Sequence, residues 1–528
     1  MLVPYRPEPY VNFAEPAPRQ KMLAALKEVR AQLGRTYPLR IGDRKIETDK
    51  KIASLMPADP KTVVGYVGKA SRDHAEQAIR AAAENFKWWR KVEPETRARI
   101  LFKTAAIMRR RIYELSAWMC FEESKSWIEA YADTCETIDF LEFYGREMIR
   151  LGGPQPVTPF PGEDNEVRYI PLGVGVVIPP WNFPLAICTG MTSAALVTGN
   201  TVVLKPASSS PVIAAKMAEC FEQAGLPPGV LNFCPGSGGE IGDFIVEHPQ
   251  TRFVSFTGSM EVGLGIFEKC GRVSKDQMWL KRSILEMGGK DCIVVDETAD
   301  VDAAAEGIVV SAFGFQGQKC SACSRAIVVG DVYDQVLERV VERTKKLTVG
   351  DTTAEENFYM GAVIDENAFK TINKYIEVGK GEGRLAIGGA VKGSRPEAGG
   401  PGVPTSGGYF IPPTVIEGVD RQARIAQEEI FGPVLAMVRA KDFNDGIEIA
   451  NGTKYGLTGA LYSNDRLRLE TARRDFHVGN LYFNRKCTGA LVDVQPFGGF
   501  NMSGTDSKAG GRDYLLLFMQ AKSIAERL

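Results

Sequence analysis

Short apolar segments rich in β-branched residues alternate with segments of helical periodicity between residues 173 and 256. Parallel strands need long crossover connections, which are usually helices, so this alternation is typical of a parallel sheet covered by helices. The predicted strands cover 173–178, 201–204, 230–234 and 252–256, and the predicted helices cover 185–197, 212–224 and 240–247. We therefore expect an α/β fold.

The start of this region has no charged residue between Arg168 and Lys205, which is long enough for a membrane span. Pro180, Pro184 and Gly190 interrupt it, and its apolar pieces are short. Buried strands joined by loops explain it better than a transmembrane helix does.

The remainder of the chain contains further helices and a second α/β pattern. Helical periodicity marks 73–88 and 96–148, and strands alternate with helices again from 291 to 482, with Gly- and Pro-rich connections near 388–408. The Pro-rich first twenty residues are expected to form an extended arm. This order predicts a cofactor domain followed by a catalytic domain.

Length and charge narrow the class of protein. A chain of 528 residues exceeds what one hydrophobic core usually organises, so at least two domains are expected. The net charge is −1 without a basic block, which predicts neither a nucleic-acid partner nor a membrane partner. The ten cysteines lack the spacing of a disulfide scaffold, and the N-terminus shows no export signal, so a reducing cytoplasmic location is expected.

Three residues in separate motifs suit attack on an aldehyde. Cys320, flanked by short side chains, can act as a nucleophile if the oxyanion that it creates is stabilised. Asn182, at a predicted strand end, can donate to that oxyanion, although a simple turn is an equal alternative. Glu286, before two glycines, can activate water, although a surface glutamate is again an equal alternative.

Two loops at strand ends favour a dinucleotide. The strand at 252–256 runs into Gly258 and Ser259 at a helix start, where free N–H groups attract phosphate, although the glycine spacing is not that of the usual fingerprint. Lys205 and Ser208 follow another strand, where a cation can hold a ribose or phosphate. Either loop alone would be read as structural.

A different class of function is suggested by Cys320 and Cys323, which form a C-x-x-C pattern. Zinc would need more ligands, and the chain has only three histidines, none paired with a cysteine, so no metal is predicted. A thiol oxidoreductase would place a strand before the motif and a helix after it, whereas here the order is reversed. A reversible disulfide between the two cysteines is left as a hypothesis.

Five motifs in order resemble those of the aldehyde dehydrogenase superfamily over nearly the whole chain. They are Pro-Trp-Asn-Phe-Pro at 180–184, Phe-Thr-Gly-Ser at 256–259, Leu-Glu-Met-Gly-Gly-Lys at 285–290, Gly-Gln-Lys-Cys at 317–320 and Glu-Glu-Ile-Phe-Gly-Pro at 428–433. The resemblance implies a Rossmann-like cofactor domain, an α/β catalytic domain and a small β-flap for oligomerisation. It also implies NAD or NADP as the cofactor.

The resemblance gives each motif a role. Cys320 would be the nucleophile, its oxyanion held by Asn182 and the Cys320 N–H, and Glu286 would activate water. The implied cofactor contacts are Pro180, Trp181, Lys205, Ser208, Gly258, Ser259, Glu429 and Phe431. Many NAD-preferring members have an acidic residue at the position of Ser208, so NADP remains open here.

The run from Asn484 to Phe500 is similar to the substrate-anchoring loop of the monofunctional 1-pyrroline-5-carboxylate dehydrogenase family, which oxidises L-glutamate γ-semialdehyde in proline catabolism. The implied substrate contacts are Ser321, Gly489 and Ala490 for the carboxylate, Phe183 and Phe497 beside the chain, and Glu136 near the ammonium. A surface carboxylate is an equal alternative for Glu136. Another semialdehyde or an aliphatic aldehyde is the alternative substrate.

The resemblance also divides the chain into three parts. The NAD(P)-binding domain would cover 1–153 and 170–285, the catalytic domain 286–485, and the flap 154–169 with 505–528. The flap would cross to a second subunit, so a homodimer or a higher assembly of dimers is expected.

Overall fold

The computed structural model describes residues 3–389 and 407–528. Its helices are α1 Pro16–Arg30, α2 Arg72–Trp89, α3 Pro94–Arg110, α4 Ile112–Glu122, α5 Trp127–Leu151, α6 Ala186–Val197, α7 Pro211–Gln223, α8 Asp243–Glu247, α9 Met260–Gly271, α10 Val301–Phe313, α11 Tyr333–Thr344, α12 Glu366–Glu382, α13 Arg424–Gln427, α14 Phe443–Asn451 and α15 Arg466–Asp475.

The strands are β1 Arg35–Tyr37, β2 Leu39–Ile41, β3 Arg44–Ile46, β4 Lys51–Met56, β5 Asp59–Gly68, β6 Glu163–Pro171, β7 Val174–Ile178, β8 Thr201–Leu204, β9 Leu231–Phe233, β10 Thr251–Thr257, β11 Arg282–Glu286, β12 Cys292–Val295, β13 Arg325–Val329, β14 Arg384–Ile387, β15 Thr414–Glu417, β16 Val434–Ala440, β17 Tyr455–Gly456, β18 Thr458–Tyr462, β19 Asn480–Phe483, β20 Phe500–Asn501 and β21 Met519–Arg527.

The first seven-stranded sheet contains the alternation seen in the sequence. Its order is β11-β10-β7-β8-β9-β2-β3, and the strands from β11 to β9 are all parallel. The order reverses at β7, because β8 lies on one side of it and β10 on the other. In a sheet of this kind the crevice beyond the carboxyl end of that strand is the usual ligand site.

A second seven-stranded sheet has the order β14-β15-β16-β13-β12-β18-β19, with β14 antiparallel and the other strands parallel. Strands β12, β13 and β18 are buried on both faces, as expected of parallel strands covered by helices. The predicted fold class, with two α/β sheets, is confirmed.

Three smaller sheets complete the strand pairing outside these layers. Strand β21 pairs antiparallel with β6 along its whole length, from Met519 opposite Pro171 to Arg527 opposite Glu163. Strand β5 lies between β1 and β4. The short strands β17 and β20 also pair.

Some local expectations were wrong. The N-terminal arm is not extended through residue 20, because α1 begins at Pro16, whose fixed φ and missing N–H suit the first helical turn. The helix expected at 240–247 begins with a wider turn, Gly238–Gly242, before α8. Strands β1–β5 add to the predicted elements, and β2 and β3 extend the first sheet with antiparallel strands. Most of the Gly- and Pro-rich connection at 388–408 lies outside the described residues.

The uncharged region forms β7, α6 and β8, as expected, and α6 is buried along nearly its whole length. Within residues 3–389 and 407–528, no helix combines the length and the apolar character that crossing a bilayer requires.

Candidate active site

Opposite edges of the two large sheets supply the predicted site residues. Asn182, Gly258 and Glu286 lie at or just beyond the carboxyl ends of β7, β10 and β11, and Glu286 pairs in register with Thr257. Cys320 precedes the amino end of β13, as Glu429 precedes that of β16. The Asn182 side-chain N–H donates to the Gln318 carbonyl at 3.0 Å, which joins the two edges directly.

The turn before Cys320 is held in an unusual conformation. The φ angles are positive at three successive residues, 49° at Phe315, 57° at Gln316 and 66° at Gly317. Residues other than glycine rarely adopt this left-handed region. The buried Gln316 side chain donates to the Ser124 carbonyl at 3.1 Å and to the Ala362 carbonyl at 2.8 Å. Such strain persists only where the surroundings over-determine it, so neighbouring elements fix the position of Cys320.

Cys320 itself is partly exposed. Burial of the thiol raises its pKa well above the usual range, and the carboxylates of Asp291, Glu286 and Glu429 raise it further. The Ser321 N–H, which bonds to the sulfur, lowers it only in part. The thiol form therefore predominates at neutral pH in this state, and nucleophilic attack requires removal of its proton.

Asn182 is buried beside this turn. Its amide nitrogen has two N–H donors, and the bond to Gln318 uses one of them. The second is the kind of donor that an oxyanion on a Cys320 adduct needs. If Asn182 only formed a local turn, its hydrogen bond to the Gln318 carbonyl, in the turn before Cys320, would have no explanation.

Glu286 ends β11 and faces the loop that follows residue 497. Its Oε1 accepts from the Ser507 hydroxyl at 3.2 Å, and its buried Oε2 has no hydrogen-bond partner within the described residues. Burial raises its pKa well above the usual range, while Ser507, the Gly499 N–H and Lys508 act in the opposite direction. A carboxyl group with a raised pKa is suited to proton transfer near neutral pH.

The predicted cofactor residues of the first sheet lie around its carboxyl edge. Gly258 donates its N–H to the Glu286 carbonyl at 3.1 Å, and Ser259 is exposed at the start of α9, where its hydroxyl accepts from the Val262 N–H at 3.4 Å. Lys205 is buried after β8, and burial lowers its pKa. Ser208 is exposed further along the same loop.

A second group of candidate cofactor residues lies on the other sheet. Glu429 accepts from the Gly289 N–H at 3.0 Å, and a Cβ at Gly288 would collide with the Glu429 carboxylate, so this approach requires glycine. The Phe431 ring meets the Trp181 ring edge-on, with centroids 5.4 Å apart. Pro180, the residue before Trp181, is buried.

These groups fit a nicotinamide dinucleotide. A carboxylate held by a backbone N–H can accept from ribose hydroxyls, and aromatic rings provide a flat apolar wall for the nicotinamide. The α9 N-terminus and the Lys205 ammonium suit the phosphates or the other ribose.

The residues predicted to bind the substrate carboxylate lie on adjoining segments. Ser321 is buried, and its carbonyl accepts from the Cys487 thiol at 3.5 Å, which ties the Cys320 turn to the loop after β19. In that loop Gly489 is exposed with a φ of 76°, and Ala490 is half-buried. The Arg485 guanidinium bonds to the Thr488 and Gly489 carbonyls at 2.9 and 3.2 Å and orients the loop.

The two predicted aromatic walls are placed differently. The Phe183 ring packs edge-on to Phe315, with centroids 6.5 Å apart, and is therefore tied to the strained turn. Phe497 is half-buried and is fixed through its backbone, which exchanges two hydrogen bonds with Ala509 at 2.9 and 2.8 Å.

Glu136 lies on α5 and is half-buried. Burial and the nearby Asp133 carboxylate raise its pKa to about 8, while the ammonium groups of Lys125 and Lys319 lower it. Glu136 is therefore not the solvated surface carboxylate that the alternative interpretation of the sequence would require.

Several charged residues beside the site were not predicted from the sequence. Lys125 and Asp133 form a fully buried ion pair at 2.6 Å, and Lys319, next to the nucleophile, pairs with Glu129 at 2.6 Å. The available signal was the run at 122–126, Glu-Glu-Ser-Lys-Ser, which interrupts two largely apolar helices.

The structure offers little support for a thiol-redox or zinc function of Cys320 and Cys323. Cys323 is buried, and its thiol bonds to the Arg325 carbonyl at 3.4 Å and to the Cys487 thiol. His74 lies in the cap of α2 and His248 bonds to Glu76 at 3.0 Å. Across the described ranges, no cluster of three or more His, Cys, Asp or Glu side chains is arranged to hold a metal ion.

The chain belongs to the aldehyde dehydrogenase family, because the model of the "Aldehyde dehydrogenase family" matches residues 45–524. Within that family it is similar to 1-pyrroline-5-carboxylate dehydrogenase of Geobacillus thermodenitrificans, at 59% identity over the full length of both chains.

Solved structures of similar sequence and fold include members of the same group of enzymes. A Thermus 1-pyrroline-5-carboxylate dehydrogenase with bound NAD is 52% identical, with a TM-score of 0.96 and full coverage of both chains. Proline utilization A from Bdellovibrio bacteriovorus is 42% identical, with a TM-score of 0.95, and this chain covers 53% of its length. The predicted family is confirmed.

Proposed function

We propose that this protein oxidises L-glutamate γ-semialdehyde, formed from 1-pyrroline-5-carboxylate, to L-glutamate with NAD. The bond from Asn182 to the Gln318 carbonyl carries the proposal, because it sets an amide donor beside the nucleophile turn. The full-length similarity to 1-pyrroline-5-carboxylate dehydrogenases supports the choice of substrate.

Cys320 carries the covalent chemistry. Loss of the thiol proton lets the sulfur add to the aldehyde carbon, and the resulting thiohemiacetal oxyanion is stabilised by the Asn182 amide and the Cys320 N–H. Bound NAD supplies the hydride acceptor that turns this adduct into a thioester.

Glu286 completes the reaction by hydrolysis. Its carboxylate takes a proton from water, the hydroxide oxygen adds to the thioester carbon, and the Cys320 thiolate leaves. A raised pKa keeps this group near the range in which a base both accepts and releases a proton at neutral pH.

Recognition of the substrate rests on the loop after β19. Ser321 and the N–H groups of Gly489 and Ala490 hold the α-carboxylate, while Phe183 and Phe497 flank the aliphatic chain. The positive φ of Gly489 and the small side chain of Ala490 leave the backbone open to a ligand. Glu136 faces the α-ammonium.

Contacts to NAD come from both edges. Lys205, Ser208, Gly258 and Ser259 face the adenosine and phosphates, and Glu429 and Phe431, with Pro180 and Trp181, face the nicotinamide ribose and ring. Ser208 provides no carboxylate to repel a 2′-phosphate, so NADP is a second cofactor to be compared with NAD.

Steady-state kinetics test the assignment. NAD and NADP reduction are measured with glutamate γ-semialdehyde, succinate semialdehyde and an aliphatic aldehyde, with Cys320→Ala as the blank. The highest kcat/KM is expected for glutamate γ-semialdehyde. An equal or better aliphatic aldehyde would contradict the roles of Ser321, Gly489 and Ala490 and leave the family membership intact.

We infer that the protein is a homodimer or a dimer-based assembly with the three-part division given above. The β21–β6 ribbon exposes most of its side chains, and large apolar residues are exposed on α9 and after it. These are Val262, Leu264, Phe267, Val273, Met278 and Leu280. Sedimentation of Phe267→Glu against the unaltered protein tests the interface.

We also infer a cytoplasmic location, because all ten cysteines are described and all are free.

A further inference from the structure

Residues 122–126 form a buried polar segment that runs from the last residue of α4 to the start of α5. Glu122, Glu123, Ser124, Lys125 and Ser126 are each at most 2% exposed, although all five have polar or charged side chains. Such groups are costly to bury without partners, so their contacts define what the segment holds in place.

The Lys125 ammonium contacts three groups. It bonds to Asp133 Oδ2 at 2.6 Å, and both side chains are fully buried. It also lies 4.2 Å from the centroid of the Phe183 ring and 4.5 Å from that of Phe315. An ammonium over aromatic faces is attracted more strongly when it is desolvated, so both rings are drawn toward this one charge.

The rings belong to the two segments that build the reaction centre. Phe183 follows the oxyanion donor Asn182, and Phe315 begins the strained turn before Cys320. Lys125 is therefore a direct bridge between the loop after β7 and the nucleophile turn.

Neighbouring contacts lock the same bridge. Asp133 Oδ1 accepts from the Ala186 N–H at 2.7 Å, at the first residue of α6, and so fixes the end of the Asn182 loop. The Ser124 carbonyl accepts from the Gln316 side chain at 3.1 Å, and the Ser124 hydroxyl accepts from the Ala362 N–H at 3.0 Å.

We propose that Lys125 is a positioning residue, whose buried ammonium, fixed by Asp133, aligns the Phe183 wall and the Phe315 turn so that substrate carbonyl, oxyanion donor and thiol meet. The role of Phe183 as a substrate wall rests on the function proposed above. The contact of Lys125 with Phe315, in the turn before Cys320, does not depend on the identity of the substrate.

The chain contains a matched control. Lys216 on α7 is also buried, with its ammonium 4.8 and 5.0 Å from the Tyr37 and Trp118 rings and 3.5 Å from the Glu219 carboxylate. Its partners do not belong to the candidate site. Loss of either ammonium removes a buried cation over two rings, but only Lys125 touches the reaction centre.

The experiment compares Lys125→Met with Lys216→Met, since methionine keeps much of the length and removes the charge. Both variants are expected to melt at a lower temperature. For Lys125→Met alone, we expect kcat/KM for the aldehyde to fall by about 10- to 100-fold, because small displacements of reacting groups cost rates of that order. The KM for NAD should stay within about threefold in both variants.

Alkylation of Cys320 by iodoacetamide gives a readout without substrate. Its rate constant and pH profile should change in Lys125→Met and remain as in the unaltered protein in Lys216→Met. Equal effects of the two variants on both readouts would overturn the proposal. If glutamate γ-semialdehyde is not the preferred aldehyde, the function proposed above fails, while the alkylation comparison still decides the role of Lys125.

Two further variants cover a loss of folding in Lys125→Met. The double variant Lys125→Met with Asp133→Asn removes both charges of the pair and should fold while keeping the kinetic defect. In a Phe183→Leu background, Lys125→Met should reduce kcat/KM by a smaller factor than it does alone, since one of its targets is already lost. Independent, multiplicative effects would contradict action through Phe183.

Discussion

The two large sheets contribute to the site from opposite ends of their strands. The first sheet offers its carboxyl edge, where Gly258 directly follows β10, Glu286 ends β11 and Asn182 lies in the loop after β7. The second offers its amino edge, where Cys320 and Glu429 stand several residues ahead of the strands that they precede.

The difference lies in how each edge fixes its side chains. At the carboxyl edge the strands themselves place Gly258 and Glu286, as the register of Thr257 opposite Glu286 shows. At the amino edge buried side-chain bonds do so, such as those from Gln316 to the Ser124 and Ala362 carbonyls. A residue before a strand has no ladder to hold it, so it depends on contacts from distant parts of the chain.

Removal of the nucleophile at the amino edge should have the largest effect. We expect Cys320→Ala to lower kcat for aldehyde oxidation by at least about 10⁴-fold, because no covalent adduct forms without the thiol. Appearance of reduced nicotinamide measures this loss, and NAD binding by calorimetry serves as the control. If the variant kept more than a hundredth of the activity, Cys320 at the amino edge would not be the nucleophile.

Glu286→Gln tests the carboxyl edge, with an expected loss of about 10²- to 10⁴-fold in steady-state kcat. Hydride transfer precedes hydrolysis, so a burst of reduced nicotinamide, up to one per site, should remain in rapid-mixing experiments. The absence of a burst would show that Glu286 is needed before the thioester forms.

The pH dependence of the same step sharpens this prediction. Burial raises the pKa of Glu286, and only the ionised carboxylate accepts a proton from water. The hydrolysis rate should therefore rise with pH above the ordinary glutamate value of about 4.3 and level off past the raised pKa. In Glu286→Gln the residual hydrolysis should lack this rise.

Gly288→Ala probes the junction between the two edges. The new Cβ would displace the Glu429 carboxylate from the Gly289 N–H, so we expect KM for NAD to rise by about tenfold, with a smaller change in kcat. A variant with an unchanged KM would show that Glu429 does not hold the cofactor. Gly271→Ala, where a Cβ meets open space, is the control.

Ser208→Glu at the carboxyl edge should have the smallest effect. A carboxylate there can bond to a ribose 2′-hydroxyl and repel a 2′-phosphate, so the ratio of kcat/KM for NAD to that for NADP should rise by about three- to tenfold. Ser208→Gln, similar in size and uncharged, is the comparison. Equal ratios for the two variants would place Ser208 away from the adenosine ribose.

Local pattern was sufficient for the central strands β7, β8 and β10. Each is a short apolar segment flanked by turn residues, and the structure confirms them to within about two residues, the usual uncertainty of an element boundary. The pattern was not sufficient for β2 and β3, because pairing between β2 and β9 joins segments that are far apart in the chain.

Charged residues were the other difficulty. Arg325 begins β13 and would be read as a surface residue, yet it is buried and its guanidinium bonds to the Lys290, Ile449 and Ala450 carbonyls at 2.9 to 3.0 Å. Residues 122–126 were predicted as part of the helical stretch 96–148, yet α4 ends at Glu122, α5 begins at Trp127 and the charged side chains between them are buried. Hydropathy predicts burial poorly when the partners of a charge lie elsewhere in the chain.

The sequence by itself determined the family, the alternation that forms the first sheet, and the motifs that contain Cys320, Asn182 and Glu286, because these depend on residue type and order along the chain. Only the tertiary structure decided that the two sheets meet edge to edge, that the turn before Cys320 is left-handed, and that Lys125 lies over Phe183 and Phe315. Those features depend on contacts between segments separated by tens to hundreds of residues, and the cost of burying their charges is offset only once the partners have been brought together.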